Sequence, residues 1–464
     1  MRLSEPTTHD AIIIGAGQAG GPLAVALARA GRSVALIERG HVGGTCVNAG
    51  CTPTKTMIAS GRVAHLVRRS ADYGIDVGEI TVDMRRIRRR KRDIVERFRV
   101  GSRRRLENVD GLDLFFGEGR FVGSKTVDVA LAAAGRQTLT AERVFINTGL
   151  RPRIPDLEGL DAVPHLDSTS IMELDEVPAH LLVIGGGYIG VEFSQLFRRL
   201  GSVVTIVQRG GQLLRHEDAD IAGEVARILR EDGIEVRLDA RAVRVEESAS
   251  GTLALTVHGP TGDTTVVGSH LLVAVGRTPN TERLQLDVAG VETDERGFVV
   301  VDEYLETSVP GVFALGDVHG GPAFTHIAYD DFRIVKANLL GTCCASTRDR
   351  LVPYTVYMDP QLGGIGLTER EAVAEGREVR IAKMTMDHVG RALETDEARG
   401  VMKVLVDADT ERILGACILG IEGGEIMSLI QTAMIGGLSY KTLRDMTFAH
   451  PSIAESMNTL FGGI

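Results

Sequence analysis

DAIIIGAGQAGGPLAVALARAGRSVALIE, residues 10–38, changes character three times. Asp10 to Ile14 is a short apolar run of strand type, and GAGQAGG is a glycine turn. Pro22 to Arg29 reads as helix, and Ser33 to Glu38 is a second apolar run. Strand, turn, helix and strand in this order form the first half of a dinucleotide-binding βαβ unit. Gly15 permits the tight turn, Gly17 lets backbone approach a pyrophosphate, and Gly20 lets helix and strand pack closely. Glu38 follows 18 residues after Gly20, where a carboxylate can accept hydrogen bonds from a ribose diol. A glycine triad alone is an ordinary turn; strand, helix and acid together make it a nucleotide site.

The design recurs about 170 residues later. His180 to Ile184 is a strand, GGGYIG (Gly185, Gly187, Gly190) the turn, Val191 to Leu200 the helix, and Val203 to Val207 the next strand. Two copies imply two nucleotide-binding domains. The second copy ends Val207-Gln208-Arg209, without the ribose-binding acid, and Arg215 is close by. Guanidinium groups pair with a 2′-phosphate that an acid would repel, so this site should prefer NADPH to NADH. The alternative is two surface charges. LLVAVGRTP at 271–279 echoes VFINTGLRP at 144–152, and TSVPGVFALGDV returns at 307–318. From Pro353 onward strands and helices alternate as a separate α+β domain with a helix-rich end at 424–462.

A chain of 464 residues with 44% hydrophobic and 25% charged residues is globular and holds two to four domains. No apolar run reaches the roughly 18–20 residues of a membrane span, and MRLSEPTTHD has no signal-peptide core, so a cytoplasmic location is expected. A net charge of −10 argues against nucleic acid as a general partner. Against that average, Arg85 to Arg105 carries eleven arginines and Lys91. It reads as a solvated helix with Ile87, Ile94, Val95 and Phe98 as a thin apolar stripe, or else as an anion-binding patch.

Five cysteines in such a chain are no disulfide framework. The informative two stand in GGTCVNAGCTPTK, residues 43–55. Cys46 and Cys51 can close a small disulfide if the residues between them form the first turn of a helix, whose N-terminus also favours a thiolate. Inert cysteines or half a zinc site are the alternatives, but no second Cys/His pair at suitable spacing completes such a site, and no metal is expected. In FAHPSIAES, His450 can move a proton during thiol–disulfide exchange while Glu455 fixes its tautomer, although a His–Glu pair is often structural. Cys343 and Cys344 are adjacent in a loop-like stretch and read as incidental, and Cys417 reads as core.

These motifs together resemble the pyridine nucleotide–disulfide oxidoreductases, the family of glutathione reductase, dihydrolipoamide dehydrogenase and mercuric reductase, over essentially the whole chain. The resemblance implies an α/β fold with two Rossmann-like domains, for FAD and NADPH, plus a C-terminal α+β dimerisation domain. The segments would be 1–150 and 276–350 for FAD, 151–275 for NADPH and 351–464 for dimerisation. It implies FAD against Gly15, Gly17, Gly20, Glu38, Gly44, Thr45, Gly149 and Gly316, with Asp317 on the ribityl chain. NADPH would lie against Gly185, Gly187, Ile189, Gly190 and Gly276, with Tyr188 shielding the nicotinamide pocket and Arg209 and Arg215 on the 2′-phosphate. Cys51 would face the flavin as a thiolate and Cys46 would attack substrate. Lys55 and Glu192 would pair beside the isoalloxazine. His450 and Glu455 would complete the active site of the opposite subunit of a homodimer.

The wording around the cysteines is similar to mercuric reductases. Those usually end in a vicinal cysteine pair and lack the histidine, whereas this sequence reads NTLFGGI at that end and has His450, and no heavy-metal-binding N-terminal domain is expected. HPSIAESMNTLF and AFTHIAYDDFRIV resemble the reactive-chlorine-resistance flavoproteins, credited with copper reduction, although Gln208 replaces their acid. The first expectation is therefore an NADPH-dependent reductase of a low-molecular-weight disulfide. A reductase of Cu(II) or Hg(II) is the second, and a redox sensor with little turnover the third.

Overall fold

The computed structural model describes residues 6–341 and 344–464. Cys343 lies outside the described residues. The chain packs as two units, Met1–Thr56 with Arg88–Arg153 and Arg277–Arg350, and Met57–Ile87 with Ile154–Gly276 and Leu351–Ile464.

In the first unit, β1 (Thr7–Ile14) lies parallel to β2 (Val34–Glu38), with helix α1 (Gly20–Arg29) between them in sequence. Helix α2 (Gly44–Asn48) follows, and α3 (Cys51–Arg68) and α4 (Met84–Glu107) each contribute residues to both units. Strands β3 (Leu112–Gly123), β4 (Thr126–Leu131), β5 (Arg136–Ile146) and β6 (Leu150–Pro152) come next. The parallel order is β3-β2-β1-β5 followed by strand Val312–Ala314, and β4 bridges β3 and β5 antiparallel. Ile12 and Ile13 are both fully buried, because such a sheet is covered on both faces. Leu23 and Leu27 of α1 pack with Ile13, Leu36 and Phe145 on one face. On the other, Ile12, Ile37 and Val144 pack with Phe121 and Val127. β1 begins before the apolar run because Thr7–His9 pair with Leu139–Ala141.

The basic segment is helical throughout as α4. Val95 is buried and Ile87 and Ile94 are half-buried, but Phe98, on the same face, is 53% exposed. Lys91, on that face too, is buried.

In the second unit, β7 (His180–Ile184) is central in a parallel sheet, between strand His270–Val273 and β8 (Val203–Val207), which pairs on with Glu235–Arg237. Helix α5 (Tyr188–Leu200) starts earlier than its apolar periodicity, directly from the glycine turn. Residues 354–356, 361–366, 413–420, 401–407 and 379–385 form a five-stranded antiparallel sheet in that spatial order. Helices Gly423–Ile435, Tyr440–Asp445 and Ser456–Gly462 give the helix-rich end. Helix Gly423–Ile435 packs on this sheet through Ile426, Met427 and Ile430. The two echoing segments have a structural reason. Their ends pair antiparallel, Leu150–Pro152 against Arg277–Pro279, within the first unit. No described helix is long and apolar enough to cross a membrane.

Candidate active site

Two backbone contacts and one side-chain contact explain the glycines of the first turn. Gly15 has φ 107°, and a Cβ there would lie 2.2 Å from the carbonyl oxygen of Asn147. At Gly20 a Cβ would meet the oxygen of Gly15 at 2.1 Å, the close packing expected of the third glycine. Gly17 also serves the protein itself, since a Cβ on it would lie 2.9 Å from Asn147 Oδ1. Gly44, with φ 63°, closes on the same turn, and its Cβ would be 2.8 Å from the Gly17 Cα. Glu38 ends β2 with Oε2 accepting from the Ala16 N–H at 2.9 Å and Oε1 from Gly40 at 2.7 Å, so its carboxylate is fixed at the turn.

Asn147 is the residue that the sequence did not single out. Buried at the end of β5, it accepts from the Gly20 N–H at 2.8 Å and donates to the Leu315 carbonyl at 2.7 Å. One amide thus holds the glycine turn to the 312–318 return. Asn147→Ala should strand both groups at about 1–3 kcal/mol each. The expected result is a lower unfolding temperature and faster FAD loss, which Asn147→Asp, setting a buried carboxylate oxygen against the Leu315 carbonyl, should not relieve. Thermal melts of the flavin-loaded protein check this.

Other features suit a large polar ligand here. Thr148 Oγ1 is buried without a hydrogen-bond partner, and open space surrounds the position where Gly149, φ 63°, would carry a Cβ. Gly316 and Asp317 begin the 3₁₀ turn Gly316–His319. Burial raises the Asp317 carboxyl above the usual carboxylate range, opposed by Arg277 and His319. Beneath it Asp331, fully buried, accepts from Gly316 N–H at 2.7 Å and His319 at 2.9 Å, and pairs with Arg350 at 2.5 Å. Burial opposes ionisation of Asp331, yet His319 and these other donors hold its pKa below the ordinary value. Residues 12 to 19 apart make this cluster, and no short motif marks it.

Cys46 lies in α2 and Cys51 is the first residue of α3, with Ala49–Gly50 between the helices. The intervening residues are therefore not the first turn of one helix, as the spacing suggested. The break places Cys51 itself on a helix N-terminus, where free N–H groups favour a thiolate. Both cysteines are free thiols, Cys51 exposed and Cys46 partly so. A hydrogen bond from Cys46, with further help from Thr325 and Lys55, outweighs burial and brings Cys51 down to about 6. The same bond, with burial, pushes Cys46 up. Thr325 Oγ1, at the start of helix Thr325–Leu340, is 3.3 Å from Cys51 Sγ. Thr325 stands within the quoted AFTHIAYDD but nothing local marked it. Lys55 is one turn after Cys51 in α3.

The shared hydrogen bond thus favours negative charge on Cys51 over Cys46. In the reduced protein the thiolate ultraviolet band should titrate with a midpoint near pH 6, present above it and lost below. Cys46→Ala should move that midpoint up by removing the donor, and Cys46→Ser, which retains a hydroxyl, should move it less.

The second turn has the same anatomy. Gly185, φ 108°, and Gly190 are bare because a Cβ would lie 2.4 Å from Ala274 O and 2.0 Å from Gly185 O. At Gly187 and Gly276 a Cβ meets nothing within 4 Å, leaving backbone open to a ligand. Gln208 occupies the place of Glu38: its Oε1 accepts from the Gly186 N–H at 3.0 Å, 22 residues away in both copies. Arg209 and Arg215 are exposed, and Arg215 Nε reaches His216 Nε2 at 3.1 Å. Tyr188 and Ile189 open α5, and buried Glu192 accepts from the Tyr357 N–H at 2.8 Å. Glu192 belongs to the second unit and Lys55 to the first.

His450 Nδ1 lies 2.9 Å from Glu455 Oε2, and the imidazole is 78% exposed. The hydrogen bond from His450 holds Glu455 below the usual carboxylate range. One ring nitrogen is therefore oriented and the other is available to solvent. Cys417, expected in the core, is half-buried with Sγ 3.8 Å from Glu217. Cys344 is exposed.

Two nucleotide-type glycine turns, a polarised cysteine pair and an oriented histidine define a flavin-type dithiol oxidoreductase. The chain belongs to the pyridine nucleotide-disulphide oxidoreductases: the family model matches residues 9–331, and the family's dimerisation domain matches 352–461. It is 38% identical over 457 residues to the "Probable pyridine nucleotide-disulfide oxidoreductase RclA" of Escherichia coli (strain K12), covering 98% of each chain. Mercuric reductase of Bacillus cereus is 36% identical over 450 residues, 97% of this chain and 70% of that one. Among solved structures, the Cu(II) complex of the HOCl-induced flavoprotein disulfide reductase RclA from Escherichia coli superposes with a TM-score of 0.89 at 37% identity, over 98% of this chain and 99% of that chain. The family uses FAD and a nicotinamide nucleotide, and this chain is a flavoprotein oxidoreductase of that type with the family's dimerisation domain.

Proposed function

We propose that the protein is an NADPH-dependent reductase of a low-molecular-weight disulfide, acting as a homodimer through Cys46, Cys51 and the partner copy's His450–Glu455 dyad. The observation that carries this is the oriented, open His450, because thiol–disulfide exchange must take a proton from one sulfur and return it to another. Cys46, held as a thiol by its bond to Cys51, needs such a base before it can attack. Its thiolate would displace one substrate sulfur, forming a mixed disulfide, and the departing thiolate would take the proton from His450. Cys51 would then attack the Cys46 sulfur, release the second substrate thiolate and leave a Cys46–Cys51 disulfide. Bound FAD would supply the two-electron link by which the nicotinamide nucleotide restores the dithiol.

For FAD the supporting residues are Gly15, Gly17, Gly20, Glu38, Gly44, Thr45, Gly149, Gly316 and Asp317. For NADPH they are Gly185, Gly187, Tyr188, Ile189, Gly190, Gly276, Arg209 and Arg215. Segments 1–150 and 276–350, 151–275 and 351–464 would serve FAD, NADPH and dimerisation respectively.

A second reading is reduction of a metal ion by the same dithiol. It is favoured by the likeness to mercuric reductase and to a chain solved as a Cu(II) complex. A panel of oxidised thiols, Cu(II) and Hg(II), assayed by NADPH and NADH consumption on the purified enzyme, separates the two. Turnover of a disulfide with NADPH supports the first reading; turnover of metal ions alone rejects it.

A further inference from the structure

Tyr188, at the start of α5, stacks on Tyr354, with centroids 6.0 Å apart and 20° between the rings. The Tyr354 hydroxyl donates to both carboxylate oxygens of Glu217, at 2.8 and 2.9 Å. Glu217 is 1% exposed. Burial pushes its carboxyl up to about 7, Asp218 and Glu371 adding to the effect and Tyr354 and Cys417 opposing it. A carboxyl group buried in this way is costly unless its partners are fixed. Nothing in the disulfide chemistry requires it.

Glu217 is also tied to the turn that would read the nucleotide. Its N–H donates to Leu214 O at 2.8 Å, and its carbonyl accepts from Gln212 Nε2 at 3.0 Å. The Gln212 carbonyl accepts from Gln208 Nε2 at 3.2 Å. Leu214, with φ 44°, donates its N–H to Gly186 O at 2.8 Å within the glycine turn. The 208–217 loop is thus one hydrogen-bonded piece, bearing Arg209 and Arg215 as well as Glu217.

We propose that Glu217 and Tyr354 are positioning residues that latch Tyr188 in its resting place over the nicotinamide end of the second nucleotide site. This rests on reading that site as the NADPH site. A nucleotide entering with its nicotinamide ring must displace a stack whose Tyr354 ring is anchored by a hydroxyl shared between both Glu217 oxygens, whereas a fragment lacking the ring need not. A latched site is only partly competent, and its apparent affinity is lowered by that fraction.

Calorimetric titration of the oxidised holoenzyme with NADP⁺ and with 2′,5′-ADP tests this. Tyr354→Leu should bind NADP⁺ about fivefold or more tightly than wild type while 2′,5′-ADP stays unchanged. Tyr354→Phe should move in the same direction by less, and Glu217→Gln, which still accepts from the hydroxyl, should stay near wild type. Should Tyr354→Leu fail to fold, Tyr354→Phe keeps the ring and carries the test. Unchanged NADP⁺ affinity overturns the latch, and so does an equal change for both ligands, which a merely structural role would produce. A wild type that binds neither NADP⁺ nor 2′,5′-ADP overturns the NADPH reading and the latch together.

Discussion

Serine at Cys46 or at Cys51 is expected to lower disulfide turnover by about a thousandfold or more, and to do so in two distinguishable ways. With Cys46→Ser the attacking sulfur is gone. Cys51 remains a thiolate on the α3 N-terminus, and no adduct forms at position 46. With Cys51→Ser the attack by Cys46 proceeds once, but no second sulfur resolves the product. One substrate thiol should be released per subunit and the other retained as a mixed disulfide. Intact-mass measurement after mixing with oxidised substrate shows which has happened. Unchanged turnover in either variant would remove the cysteine pair from the chemistry.

His450→Ala should reduce disulfide turnover by about 10²–10⁴-fold while leaving reduction of a metal ion within a few-fold of wild type. A disulfide substrate needs the proton that the imidazole moves, and a metal ion accepting electrons from a dithiol does not. The Nδ1 contact to Glu455 predicts a graded companion effect. Glu455→Gln, which still accepts a hydrogen bond but carries no charge, should cost less and shift the acid limb of the pH–rate profile. Equal losses on both substrate classes would favour a structural dyad.

The glycine turns were legible because their signals are local. β7 and β8 match their apolar runs to the residue, and Gly15 and Gly185 owe their positive φ to a turn that any reader of strand–glycine–helix expects. Local signals failed where the partner is distant. Asn147 joins Gly20 and Leu315 across 127 and 168 residues, and Thr325 meets Cys51 across 274. Thr7–His9 are polar or weakly apolar, yet pairing with β5 makes them strand. Phe98 keeps the face of Ile94 and Val95, four and three residues before it, but stays exposed, because periodicity sets a residue's direction and not what covers it. The helix break at Ala49–Gly50 was hidden for a related reason: the cysteine spacing alone fits one helix start or two.

The most direct measurement is a thiol count after anaerobic addition of one equivalent of NADPH to the oxidised, flavin-loaded enzyme. Two new thiols per subunit, lost in the Cys46→Ser and Cys51→Ser variants, are expected if electrons settle on this pair. A flavin that bleaches while no thiol appears would contradict the proposed electron path.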